Sequence, residues 1–291
     1  MKNLFLFFVV FNLGTLAFGN PQLTDTSLNS ANPPDSIQAV KPYHLNRLTI
    51  SCIIGAGLIS DIFAIPRIKG KAPLTDKELD ALNPGIMTRF DQWALMQNPK
   101  DRYRLKQISD IGQIPIFLLP GFLLLDKNIR KDWLDLLLMY AQGHTLTFSF
   151  YNYSFLGPTF QNRYRPMAYY DYFTPDERKN GNNRNSFYSG HVASSAYSTF
   201  FMAKVYCDYH PDMGNIKYLL YTAAAIPPVW MGYLRIKSLD HFASDDMVGL
   251  LLGAVVGIVI PELHKYPCHK KVSLGMFNAP DALGISVKLT L

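Results

Sequence analysis

Three short groups of residues in the second half of the chain bring imidazoles, cations and a hydroxyl to spacings that have chemical meaning. Arg235 precedes His241 by six positions, and Asp245 follows His241 by four. If His241 begins a helix, its imidazole and the Asp245 carboxylate lie one turn apart on the same face, and the carboxylate can accept the Nδ1 proton. Nε2 is then left to act as a nucleophile. The competing interpretation is an exposed His and Asp pair at a helix end.

The second and third groups supply groups that can hold an anion. Ser189, Gly190 and His191 stand at the predicted start of a helix, where free N–H groups and the helix dipole favour an oxyanion. Gly190 lets the backbone approach a phosphate closely, Ser189 adds a hydroxyl donor, and His191 can protonate a leaving oxygen. A serine is also a common helix N-cap, which needs no ligand. Arg165, fixed by Pro166, offers a forked cation to phosphate oxygens.

The elements that must position these groups are apolar stretches of about 14–20 residues, near the lower limit for crossing a bilayer. They predict an all-α, multi-helix bundle that is embedded in a membrane through about five or six transmembrane helices; the alternative is a buried helical bundle in a soluble protein. The stretches are Leu48–Ile65, Ile108–Leu125, Trp133–Tyr153, His191–Tyr206, Tyr218–Leu234 and Met247–Ile260.

Composition agrees with several apolar helices joined by polar loops, because 48% of the residues are hydrophobic and only 17% are charged. The net charge of +6 favours an anionic membrane surface or an anionic substrate. Nucleic acid is not expected as a partner, because the basic residues form no dense stripe interleaved with aromatics. The three cysteines, Cys52, Cys207 and Cys268, have neither a metal-ligand spacing nor an even count for disulfides.

The N-terminus has the pattern of a signal peptide, with a basic start, an apolar run from Leu4 to Leu16 and small residues around Gly19. We therefore expect residues 1–19 to be removed, although an uncleaved first membrane helix fits the same pattern. Residues 20–46 predict a flexible polar segment, 47–107 an apolar helix with an amphipathic connection, and 108–265 the bundle that carries the site. Residues 266–291 form a tail whose alternating pattern near Ile285 predicts a short strand.

The distribution of charge also predicts which ends of the helices lie on the same side of the membrane. The basic loop from Asp126 to Lys131 indicates the cytoplasmic side. Counting crossings from that loop places the three groups together on the opposite side. The stretch Leu48–Ile65 breaks this parity if the signal peptide is cleaved, so either that stretch does not fully cross or the N-terminal segment is not an ordinary signal.

Taken together, the three groups resemble the pattern of the type 2 phosphatidic acid phosphatase and vanadium haloperoxidase superfamily. They occur in the same order, and the resemblance covers roughly residues 108–262. The pattern of that superfamily is a Lys upstream of Arg-Pro, then Pro-Ser-Gly-His, and then Ser-Arg with His and Asp at the spacing found here.

The resemblance implies a phosphatase that needs no metal and no cofactor and hydrolyses a lipid phosphate or diphosphate through a phosphohistidine. His241 would attack phosphorus, Asp245 would orient it, and His191 would protonate the leaving group. The phosphate oxygens would be held by the remaining motif residues, Arg165, Ser189, Gly190 and Arg235. The implied partners are a phosphorylated lipid and a membrane, and the implied location is the inner membrane of a bacterial cell envelope with the site facing the periplasm. The oligomeric state is left open.

The chain departs from the superfamily pattern at three positions. Pro158 stands where the superfamily has its Lys, Tyr188 replaces the Pro before Ser189, and Leu234 replaces the Ser before Arg235. Loss of one phosphate-holding donor costs on the order of 3 kcal/mol. Arg163 is a candidate replacement for the missing Lys. The alternatives to a working phosphatase are therefore a catalytically weakened, phosphate-binding membrane protein and a vanadate-dependent haloperoxidase.

Overall fold

The computed structural model describes residues 41–265 and the backbone of two strands, Lys271–Ala279 and Ala282–Thr290. The predicted signal peptide (1–19) and most of the predicted polar segment (20–40) lie outside the described residues. The strand predicted around Ile285 is confirmed, because the two strands, β1 and β2, pair as an antiparallel hairpin.

Residues 41–265 form a helical bundle, which confirms the all-α prediction. The longer helices are α1 (Arg47–Lys69), α2 (Arg102–Leu118), α3 (Trp133–Tyr153), α4 (Gly190–Tyr209), α5 (Ile216–Ala224), α6 (Ile226–Lys237) and α7 (Ala243–Leu263). Short helices occupy the connections at Asp76–Asp80, Pro84–Ile86, Arg89–Gln92, Trp93–Met96, Pro99–Asp101, Leu119–Leu125, Lys127–Arg130, Pro166–Tyr169, Pro175–Lys179, Gly181–Arg184 and Pro211–Met213.

Prolines and caps explain where the helices differ from the predicted stretches. The predicted single segment Tyr218–Leu234 is divided into α5 and α6, because Pro227 and Pro228 lie in the first turn of α6, where a missing N–H costs no hydrogen bond. The stretch predicted to begin at Ile108 begins one and a half turns earlier, at Arg102. Its last turns, Leu119–Leu125, are 3₁₀ and contain Pro120.

Contacts define two ends of the bundle. Arg47 Nε lies 2.7 Å from Asp135 Oδ1, and Asn152 Nδ2 donates to Asp61 Oδ1 at 2.8 Å, so α1 and α3 run side by side in the same direction. α4 runs the opposite way, because Tyr209 near its end donates to Asp132. We call the end with residues 41–47, 126–135, 204–210 and 262–265 the basal end, and the other the site end.

α4 and α7 pack more closely than any side chain would allow at three glycines of α7. A Cβ at Gly253 would lie 2.1 Å from the Ala193 carbonyl oxygen, and one at Gly249 would lie 2.5 Å from the Ser189 carbonyl oxygen. Gly257 repeats this close approach one turn further on. Ser189, the residue before α4, is thereby held directly against the start of α7.

Three segments of the described residues are long and apolar enough to cross a membrane: Arg47–Lys69, Pro99–Leu125 and Ala243–Leu263. Their outward faces carry exposed large apolar side chains, such as Phe63 on α1 and Leu251 on α7. Such continuous exposed apolar surface is typical of contact with lipid. The number of crossings predicted from the sequence, five or six, stays a prediction.

Candidate active site

The three sequence groups meet at the site end of the bundle. The Ser189 amide donates to the Asp245 carbonyl oxygen at 3.2 Å, which joins the start of α4 to the start of α7. Arg165 lies in the connection that follows α3, and Arg235 lies near the end of α6. Both arginines reach one carboxylate, Asp240, which lies between α6 and α7.

Asp240 is the centre of a cluster of cations. Its oxygens lie 2.6 Å from Arg165 Nη1, 3.0 Å from Arg235 Nη2, 3.4 Å from Arg102 Nη2 and 3.7 Å from Lys106 Nζ. Complete burial alone would raise the pKa of Asp240, but the charges of Arg235, Arg165 and Arg102 outweigh burial and hold that pKa well below its ordinary value. The carboxylate is therefore ionised and holds the four cations together.

Hydrogen-bond donors remain unpartnered around this cluster. Within the described residues, Arg165 Nε and Arg235 Nε are buried and have no hydrogen-bond partner. The Ser189 hydroxyl interacts instead with the buried Asp246 carboxylate. Ser189 occupies the N-cap position of α4, yet its hydroxyl makes no capping bond. Buried donors without acceptors are costly in a folded protein. An anion that accepts from both guanidinium groups explains why these donors are kept.

Gly190 opens α4 beside an aromatic ring. A Cβ at this position would approach the Tyr151 ring to 3.3 Å. Tyr151 and Tyr188 form an edge-to-face pair with centroids 5.4 Å apart. Tyr188, which replaces a proline of the superfamily pattern, is thus a fully buried support for the first turn of α4.

His241 is buried, with 2% of its surface exposed, which rules out the interpretation of an exposed pair at a helix end. It does not begin a helix as expected, because α7 starts at Ala243. Its Nδ1 atom lies 2.5 Å from the Ser186 carbonyl oxygen and 3.9 Å from Asp245 Oδ2, so the expected direct hydrogen bond to Asp245 is replaced by one to Ser186. Since a carbonyl oxygen can only accept, Nδ1 carries the proton and Nε2 keeps its lone pair.

Burial, followed by the positive charges of Arg165 and Arg235, holds the pKa of His241 well below its ordinary value of 6.5. The imidazole is therefore neutral near pH 7. A neutral imidazole with a free Nε2 is the form that can attack an electrophile.

Asp245 supports His241 through an intermediate residue. The Ser186 hydroxyl donates to Asp245 Oδ2 at 2.6 Å, and the Phe242 amide donates to the same oxygen at 2.8 Å. The Ser186 hydroxyl thus binds the Asp245 carboxylate, and the Ser186 carbonyl oxygen binds the His241 imidazole. Arg163 forms an ion pair with Asp245 and another with Asp91, so it does not take the place of the missing Lys in the cation cluster.

His191, in the first turn of α4, faces α2. Its Nε2 atom lies 3.1 Å from Asp110 Oδ1, and the same oxygen lies 3.1 Å from Arg235 Nη1. Asp110 therefore connects the imidazole predicted to act as an acid with one of the predicted phosphate-binding arginines. The remaining departures from the superfamily pattern, Pro158 and Leu234, are both buried.

Several residues of this arrangement were not predicted from the sequence. Asp240 adjoins His241 and Ser186 lies three positions before Ser189, so their positions offer a weak signal. Arg102, Lys106 and Asp110 repeat every four residues along α2, which is the spacing of one helix face, but no motif connects that face to the site. Within residues 41–265, no group of three or more His, Cys, Asp or Glu side chains is placed to hold a metal ion.

Comparison with known proteins matches one region of the chain to a family. Residues 133–267 match the model of the PAP2 superfamily. Neither the search of curated proteins nor the search of solved structures returned a match. The family match supports a phosphatase in the general sense of a phosphoric ester hydrolase. The match over residues 133–267 supports the type 2 phosphatidic acid phosphatase superfamily, which the three sequence groups predicted.

Proposed function

We propose that the protein hydrolyses a lipid phosphate or lipid diphosphate through a phosphohistidine formed on His241. The observation that carries this proposal is the hydrogen bond from His241 Nδ1 to the Ser186 carbonyl oxygen. It fixes the tautomer whose Nε2 is nucleophilic, in a buried site beside the unpartnered Nε donors of Arg165 and Arg235.

The first half of the reaction transfers the phosphoryl group to the protein. The Nε2 lone pair of His241 attacks phosphorus and forms an N–P bond. The P–O bond to the lipid breaks, its electron pair goes to the leaving oxygen, and that oxygen takes a proton from His191. Arg165 and Arg235 stabilise the charge on the equatorial oxygens during transfer.

The second half releases inorganic phosphate. Water attacks phosphorus and gives a proton to His191, and the N–P bond breaks with its electron pair returning to Nε2. Asp245, acting through Ser186, keeps the imidazole oriented in both halves. Because the positive charge comes from arginine side chains and from the N-terminus of α4, we expect turnover to continue in the presence of EDTA.

A lipid substrate and an extracytoplasmic site fit the arrangement of the bundle. The site lies at one end of helices whose outward faces are apolar, so a phosphate headgroup can enter while its chains stay in the bilayer. The basal end carries Lys127, Arg130 and Lys131, and basic loops favour the cytoplasmic side. The site end would then face the periplasm of a bacterial envelope.

Replacing the nucleophile tests this function. We expect His241→Ala to lower phosphate release from a panel of lipid phosphates and diphosphates by at least about 1,000-fold. The matched control is His210→Ala, which removes a half-buried histidine at the basal end that pairs with Asp126; it should retain activity. Acid-labile ³²P should be trapped on the wild-type protein and on the control but not on His241→Ala.

Two results would overturn the proposal. Full activity of His241→Ala would exclude the phosphohistidine, and a wild-type protein that binds lipid phosphate without releasing phosphate would support the non-catalytic alternative.

A further inference from the structure

α2 lies outside the region that matches the PAP2 superfamily, yet one of its faces points into the site. Arg102, Lys106, Ser109 and Asp110 all contact residues of the cation cluster or the two predicted catalytic groups. These positions share one face because they are separated by three or four residues. This chain lacks two groups of the superfamily pattern, a cation at Pro158 and a hydroxyl at Leu234. The site-facing side of α2 carries groups of both kinds.

The hydroxyl is supplied by Ser109. Arg235 Nη1 donates to Ser109 Oγ at 3.0 Å, and the Ser109 hydroxyl donates to the Lys106 carbonyl oxygen at 2.7 Å. Ser109 is completely buried. It therefore helps to fix the guanidinium of Arg235.

Lys106 is the cation of the cluster that is least tightly held. Its ammonium lies 3.7 Å from Asp240 Oδ2, and 36% of its side chain is exposed. Arg102, by contrast, is 8% exposed and donates to the Ser238 carbonyl oxygen at 2.5 Å. A lysine has a compact charge on a flexible stem, so Lys106 can turn from Asp240 to an anion beside it without breaking a short bond.

Two other cations near the site, Lys71 and Arg163, already have close partners. Lys71 Nζ donates to the Gln161 carbonyl oxygen at 2.6 Å and to Asn162 Oδ1 at 2.9 Å. Arg163 is shared between Asp91 and Asp245. Lys106 differs from both because its ion pair in the described structure is the long one to Asp240.

We propose that Lys106 on α2 is a phosphate-binding residue, which supplies from outside the superfamily-matched region the cation that the chain lacks at Pro158. This inference rests on the proposed function. Lys106 would bind a non-bridging oxygen of the substrate phosphate and stabilise the extra negative charge of the transition state. The substrate class that suits it is a phosphate with at least two negative charges, since the four cations of the cluster exceed its two carboxylates, Asp240 and Asp110, by two charges.

The test compares three variants of the full-length protein. Lys106→Met removes the charge and keeps the length, Lys106→Arg keeps a charge, and Arg104→Met is the matched control. Arg104 lies on the same helix, but its side chain is 70% exposed and pairs with Asp101. One measurement is kcat/KM for lipid phosphate. The other is the dissociation constant of inorganic phosphate in a His241→Ala background, by calorimetry, so that binding is measured without turnover.

We expect Lys106→Met to lower kcat/KM by about 100-fold and to weaken phosphate binding by about tenfold or more. Lys106→Arg should stay within about tenfold of the wild type, and Arg104→Met should match the wild type in both measurements. Thermal unfolding of each variant separates loss of binding from loss of fold. If Lys106→Met unfolds, Lys106→Arg is compared with the wild type and with Arg104→Met in its place.

Wild-type values for Lys106→Met in both measurements, with His241→Ala inactive, would overturn the role of Lys106 and leave the proposed function standing. An equal loss in Arg104→Met would also overturn it, because the effect would then come from the general charge of α2. A wild-type protein that neither releases nor binds phosphate would overturn the proposed function itself.

Discussion

At the scale of single residues, the tautomer of His241 is set by a backbone carbonyl rather than by an acid. The sequence spacing of His241 and Asp245 predicted that both belong to the site, because four residues on a helix bring two side chains together. It could not predict the exact hydrogen bond, since α7 begins two residues after His241. The Ser186 carbonyl oxygen comes from a loop more than fifty positions earlier in the chain, which no local pattern reports.

The neutral state of His241 leads to a prediction about pH. Because its pKa lies well below 6.5, the imidazole should stay neutral, with its proton on Nδ1, as the pH falls through 6.5. The measurement is the ¹⁵N chemical shift of the imidazole in histidine-labelled protein between pH 8 and pH 5, assigned with His241→Gln. A transition of His241 to the doubly protonated form at or above pH 6.5 would contradict the burial and the arginine charges as causes.

At the scale of elements, the contact between α4 and α7 fixes the distance between the two predicted catalytic imidazoles. His191 lies in the first turn of α4, and His241 lies just before α7. The three glycines of α7 allow the two helices to touch backbone to backbone. The position of the site therefore depends on a contact that extends into the middle of the bundle.

A single methyl group tests this dependence. Gly253→Ala would place Cβ 2.1 Å from the Ala193 carbonyl oxygen, so α4 and α7 must move apart, at a cost of about 1–3 kcal/mol. We expect a lower midpoint of thermal unfolding and a lower kcat. The control is Gly55→Ala on α1, where a Cβ meets nothing within 4 Å, and this variant should equal or exceed the wild type in stability. An unchanged midpoint for Gly253→Ala would show that the close approach is not required.

The sequence predicted the apolar part of each long helix but missed the functional part of α2. The apolar pattern begins at Ile108, so the sequence predicts a connecting region for the polar residues before it. In the structure α2 begins at Arg102. Its polar first turns can face the site because Asp240 pairs with Arg102 and Lys106, which would otherwise be unpaired charges there. Periodicity detects contacts with an apolar core and does not detect a polar face that converges on a site.

At the scale of the whole molecule, α1 connects the two ends of the bundle. Arg47 pairs with Asp135 at the basal end, and the Ile68 carbonyl oxygen accepts from Asn185 Nδ2 at the site end. If α1 crosses a membrane, residue 44 and the site lie on opposite sides. A cleaved signal peptide and a periplasmic site would then exclude each other, which is the parity conflict that the sequence left open.

Cysteine labelling measures this arrangement. In a protein whose three cysteines are replaced by serine, single cysteines at His44, Lys131 and Asp171 should be modified by a membrane-impermeant maleimide. We expect His44→Cys and Lys131→Cys to react from one side of the membrane and Asp171→Cys from the other, because the first two positions lie at the basal end. Reaction of His44→Cys from the same side as Asp171→Cys would contradict a crossing by α1.

Asp240 has a consequence for which phosphate groups can bind Arg165 and Arg235. Because this carboxylate belongs to the chain, it competes for Arg165 and Arg235 at a high effective concentration. The phosphodiester headgroups of bulk phospholipids carry a single negative charge and gain little by displacing it. A terminal phosphate with a charge of about −1.5 to −2 at pH 7 attracts the same cations more strongly. If the proposed function holds, we expect the Asp240 carboxylate to favour terminal phosphates over the far more abundant diesters.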